Sequence, residues 1–91
     1  MSDIQAILDE RGRTYGRFEE QAAVAQSLKA VVRENLEARN KVLEADMAEG
    51  LDQILHKIAR IVNGDPWHVD SWRDIAGYAT LVADRLEGNG K

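Results

Sequence analysis

The chain has 91 residues, 16 acidic and 12 basic side chains, two histidines and no cysteine, for a net charge of −4. A single domain of this size buries only about 60–65% of its unfolded surface, and without cysteine it has neither disulfides nor thiolate metal sites, so its stability must come from helix packing or self-association. A pI near 5.1 argues against binding nucleic-acid polymers, which calls for a basic surface. No run approaches the roughly 20 apolar residues of a membrane span, and "MSDIQAILDER" lacks the regions of a signal peptide, so a cytoplasmic protein with no membrane partner is expected.

Apolar residues recur mostly every three or four positions, glycine falls at breaks, and no segment alternates over strand length. The chain therefore reads as all-α, a small bundle of about four helices in one domain over residues 1–91. A short first helix is expected from an N-cap at Ser2 or Asp3 through Ile4, Ile7 and Leu8, stopping near "RGRTYG", where Gly12 and Gly16 mark a turn. The long second helix begins around Arg17, with a stripe of Phe18, Ala22, Ala25, Leu28, Val32 and Leu36. In the charge-rich stretch that follows, the turn into the third helix is expected near Asn40, with a single long, bent helix as the alternative.

A C-terminal helical hairpin completes the bundle. Its first arm carries Met47, Leu51, Ile54, Leu55, Ile58, Ile61 and Val62, the broad stripe of a central packing helix. It is expected to end with Gly64 in the left-handed C-cap conformation, and Pro66 forbids continuation. Asp70 is the expected N-cap of the second arm, which turns Ile75, Ala79, Val82 and Leu86 toward the core. Residues 87–91, "EGNGK", read as a frayed tail.

The chemistry concentrates around the hairpin turn. Gln53, Lys57 and Arg60 share one helical face, and Asp70, Asp74 and Tyr78 repeat every four residues on the next helix. One reading is structural, with Lys57 or Arg60 paired to Asp70 or Asp74 and Tyr78 completing the network. The other is a nucleotide site, with cations for phosphate, aromatic faces for a base and carboxylates for polar edges. Trp72 fits a core plug whose indole nitrogen finds a partner, and Trp67 an exposed stacking surface. In "ERGRTYGRFEE", Arg11, Arg13, Arg17 and Tyr15 gather just before a helix start, a place that favours anions or else is simply solvated. Glu19 and Glu20 suit the first helical turn by the dipole alone. Asp52 and His56 have the spacing of two metal ligands, but a third would need His68 to swing in from the loop.

"ILDERGRTYG", "LDQILHKIARIVNGDP" and "DSWRDIAGYATLVADRL" together resemble a family of small phage and prophage proteins, across nearly the whole chain and least over residues 33–48. That family is distantly similar to the MazG-like all-α nucleotide pyrophosphohydrolases, helical oligomers that bind magnesium through carboxylates on two neighbouring helices. The hydrolase pattern is a pair of glutamates with a third one turn on, answered by a glutamate and an aspartate three residues apart. Here Glu19 and Glu20 match the pair and Asp74 the aspartate, while Ala23 and Ser71 stand at two ligand positions, with Asp70 as a substitute.

Two functions are therefore carried forward, and a third treats the clusters as ion pairing in a structural or protein-inhibitory module. The lead is a protein of the infected or lysogenic bacterial cytoplasm that binds a nucleotide or cyclic nucleotide without a cofactor, sequestering an antiviral signal. In it Lys57 and Arg60 hold phosphate with help from Arg11 or Arg13, Tyr15, Trp67 and Tyr78 stack, and Asp70 or Asp74 read polar edges. The alternative is a magnesium-dependent pyrophosphohydrolase using Glu19, Glu20, Asp70 and Asp74. Because so small a bundle has little internal room, a homo-oligomer with its pocket at the subunit interface is expected.

Overall fold

The computed structural model describes residues 2–88 and contains four helices: α1 (Ser2–Tyr15), α2 (Phe18–Ala38), α3 (Ala45–Asn63) and α4 (Val69–Leu86). The all-α expectation is met. Helix α3 lies in the middle, with α2 on one flank and α4 on the other. Helices α2 and α4 share no contact, and α1 reaches only α2 and α3. The chain is thus a three-helix layer with α1 laid against part of it.

Several element boundaries differ from expectation. Helix α1 runs through Gly12, which is exposed and would meet nothing if it carried a Cβ, so one glycine costs helix stability without breaking it. The break comes at Gly16, whose φ of 81° is open to glycine but strained for other residues. Ser2 and Asp3 are already helical, so neither is the N-cap, and the position before them lies outside the described residues. The turn at Asn40 is where the spacing put it. Asn40 takes φ 53°, the Lys41 amide donates to the Leu36 carbonyl at 2.9 Å and the Asn40 amide to Glu37 at 3.1 Å, the paired bonds of a Schellman stop.

At the end of α3 the reason for glycine is different from the one expected. Gly64 has φ −125° and ψ −135°, which is not left-handed. A Cβ there would run into the Thr14 carbonyl and the Tyr15 backbone, so Gly64 serves the close approach of two chain segments. The Asp65 amide donates to the Thr14 carbonyl at 2.6 Å, and the Asn63 side-chain amide donates to the carbonyls of Tyr15 at 3.0 Å and Arg17 at 3.2 Å. These bonds lock the end of α1 onto the end of α3.

The N-cap of α4 is His68, with no side-chain capping bond. Asp70 lies inside the first turn, where it complements the helix dipole. Trp72 is no core plug, being half exposed, although its indole nitrogen donates to the Pro66 carbonyl at 2.8 Å and braces the hairpin loop. Of the tail, Glu87 and Gly88 form a turn, and residues 89–91 lie outside the described residues.

Burial is thin. Among the described residues Ala25 and Ala59 are the buried apolar side chains, joined by Gln21 and Ser71, and no large side chain is sealed from solvent. Ile75 and Val82 are half-buried as the stripe on α4 requires, but Ala79 and Leu86 are exposed, as are Ile4, Ile7 and Leu8 of α1 and Phe18, which is 76% exposed. No described helix is long and apolar enough to cross a membrane.

Candidate functional site

The lock between α1 and α3 builds a groove of about 700 Å³ along α1, the start of α2 and the second half of α3. Arg11, Tyr15 and Arg60, three of the expected ligand residues, line it, together with Arg17, Gln21 and His56. Sequence spacing joins Arg60 to Lys57, yet Tyr15 is its neighbour: the Arg60 guanidinium lies 4.1 Å from the centre of the Tyr15 ring, a cation–π contact. The ring is also met edge-on by His68 at 5.6 Å. Arg60 makes no ion pair among the described residues, and its buried Nε has no hydrogen-bond partner. Arg11, on the exposed side of the groove, has no carboxylate partner among them either.

The other cations singled out in the sequence, Lys57, Arg13 and Arg17, each meet a carboxylate. Lys57, its side chain only 12% exposed, pairs with Asp74 across α3 and α4 at 3.3 Å, as the structural reading asked of it. Tyr78 adds no hydrogen bond to this pair and lies with Asp74 along a shallower depression on α4. Arg13 points away from the groove to Glu10 at 3.3 Å, and Arg17 pairs with Glu19. His68 stands 3.9 Å from Asp70, so Asp70 reaches Tyr15 only through that ring. Trp67 is 86% exposed in the loop. The geometry thus gathers Arg11, Tyr15 and Arg60, sets Lys57, Asp70, Asp74 and Tyr78 behind or beside them, and turns Arg13 and Trp67 outward.

His56 reports the local field. Burial holds its imidazole below the usual histidine range, and the nearby charges of Arg60, Lys57 and Lys29 push it further down. The neutral ring lies 3.5 Å from the Gln21 side chain, which is itself buried. Around His56 an acidic protein is locally electropositive, which is the condition for holding an anion.

Gln21, His56 and Asn63 are absent from the sequence-derived site. A usable signal for Gln21 is a polar residue on the apolar stripe of α2, three positions after Phe18 and four before Ala25. For Asn63 it was an amide beside a glycine at a helix end, placed to cap a neighbouring segment. The four carboxylates of the hydrolase reading are not gathered: Glu19 and Glu20 are on α2, Asp70 and Asp74 on α4, and these helices do not touch. Among the described residues no three histidine, aspartate or glutamate side chains converge on one point with the spacing of metal ligands.

The chain belongs to a family defined as a domain of unknown function, DUF6378, whose model matches residues 3–86. Neither curated proteins nor solved structures give a match.

Proposed function

We propose that this DUF6378 chain binds a phosphorylated small molecule, a nucleotide or cyclic nucleotide, in the groove between α1, α2 and α3, and holds it without chemical change. The observation that carries this reading is that Arg11 and Arg60, two guanidinium groups with no carboxylate partner among the described residues, line one groove of about 700 Å³. A guanidinium offers a planar fork of donors that matches phosphate oxygens, and one with no carboxylate in place has no bond to break first. Arg60, fixed against Tyr15, is the anchor. Arg11, one turn before Tyr15 on α1, adds a second guanidinium, Tyr15 gives an aromatic surface, and Gln21 and neutral His56 supply polar contacts for a base or sugar.

The resemblance to small phage proteins extends this reading to sequestration of a nucleotide signal used in antiviral defence; that extension rests on the resemblance and the groove on geometry. Binding without hydrolysis is favoured over pyrophosphohydrolysis because Glu19 and Glu20 lie apart from Asp70 and Asp74. Both readings are separated by one experiment. The purified protein is incubated with nucleoside triphosphates and cyclic di- and trinucleotides, with and without magnesium, and the bound and free fractions are analysed by mass spectrometry. An intact compound in the bound fraction, lost from Arg60→Ala, is expected. A magnesium-dependent product in the free fraction would replace the proposal with the hydrolase, and no bound compound from the panel would refute it.

A further inference from the structure

A second surface is as distinctive as the groove and lies on the other side of the layer. At about 100° per residue along a helix, Ile54 and Ile58 point nearly opposite to His56, so the side of α3 turned away from the groove carries Met47, Leu51, Ile54 and Ile58. Their spacing of four, three and four is that of a coiled-coil seam. Because α2 and α4 do not meet, none of the described helices closes over it. Leu43, Met47, Leu51 and Ile54 join Ala79 and Val82 of α4 in a trough of about 320 Å³ with wholly apolar side chains. Leu51 and, further along α3, Val62 are exposed.

We infer that this trough is covered by a second copy of the same chain, α3 against α3 about a two-fold axis. The area argument selects that occupant. A folded monomer of 10.2 kDa exposes about 5,300 Å², whereas this chain exposes 6645 Å². Its radius of gyration is 15.3 Å, against about 12 Å for a folded domain of the same length. The surplus, about 1,300 Å² per chain, doubles to an amount within the range of obligate homodimer interfaces. A seam of one helix is complementary to itself under two-fold symmetry, and the trough has no polar side chain to orient a polar ligand. Pairing on this side supplies the missing core and leaves both grooves open on the outer faces.

The test uses the full chain, which has no native cysteine to confuse a cross-linking readout. Sedimentation equilibrium should give at least twice the chain mass, and the thermal midpoint should rise with protein concentration, as mass action requires. Leu51→Cys should cross-link between chains with a short bismaleimide, while Thr80→Cys, exposed on α4, should not. Leu51→Glu should weaken association at least about tenfold, the effect of placing a carboxylate in an apolar contact. Helicity, followed by circular dichroism at high concentration, separates lost association from lost folding. A strict monomer would overturn the inference, as would an oligomer that cross-links through Thr80→Cys and not through Leu51→Cys.

Discussion

The two ends of the α3–α4 hairpin hold arginines in opposite circumstances. At the end away from the loop, Arg85 donates from Nε to Asp46 at 2.8 Å and from Nη1 to Glu44 at 2.9 Å. Those bonds raise its own pKa and lower that of Asp46. Toward the loop, Arg60 faces the Tyr15 ring at 4.1 Å and no carboxylate. The fastening differs accordingly. Charge ties Arg85 to the start of α3, whereas the loop end is tied to α1 by neutral bonds from Asn63 and Asp65 and by the close approach at Gly64. Under the proposed function the second arrangement leaves Arg60 available, because an ion pair of the Arg85 kind would neutralise the guanidinium that has to meet an anion.

The largest effect should come from breaking the neutral fastening. Gly64→Ala forces a Cβ into the Thr14 and Tyr15 backbone, and the expected loss is about 2–3 kcal/mol, the upper part of the range for overpacking. Urea denaturation measures it, and amide exchange should show α1 released first. Unchanged stability would mean that α1 is not held there.

Next in size is the contrast between the two arginines themselves. Arg60→Met should lower ligand affinity by about tenfold or more, the value of a charge-assisted hydrogen bond, with little loss of stability because no partner is stranded. Arg85→Met should leave affinity untouched and lower the melting temperature slightly, an effect that fades in high salt as exposed ion pairs do. If calorimetry shows both variants binding alike, the distinction between the two ends is wrong. Gly12→Ala is smaller and opposite in sign: with open space around an exposed helical glycine, it should stabilise α1 by about 0.5–1 kcal/mol.

Much of the fold could be read from local pattern, and the site only in part. The four helices follow from apolar spacing, and the stop near Asn40 lies in the charge-rich stretch between two apolar stripes, where the sequence also allows one long, bent helix. Gly12 reads as a break but is not one, because glycine lowers helix propensity without forbidding the helix. Gly64 marks the end of α3 in sequence and structure alike, but its reason, close approach to Thr14, depends on how α1 folds back, which no local rule contains. For the same reason Arg60 reads as a partner for Asp70 or Asp74. Their spacing is visible along the chain, whereas Tyr15, 45 positions earlier, reaches Arg60 only through the α1–α3 lock. Lys57 and Asp74 were legible because neighbouring helices joined by a short loop bring their rows together.

The smallest effect is the most specific to the loop end. His56 is held below the histidine reference of 6.5, first by burial and then by Arg60, Lys57 and Lys29. A histidine depressed in the folded state leaves the unfolded chain binding more protons between the two pKa values, so stability should fall as pH drops below about 6.5. His56→Gln should flatten that part of the curve. Arg60→Met, by removing a contributing charge, should move the His56 imidazole partway back up, whereas Arg85→Met should leave it in place. A bound phosphate should raise it as well, because an anion in the groove offsets the cations that oppose protonation. Titration of the His56 ring protons by NMR reads each of these shifts directly. If neither Arg60→Met nor a bound nucleotide moved the His56 titration, His56 would not share the electrostatic field of the groove.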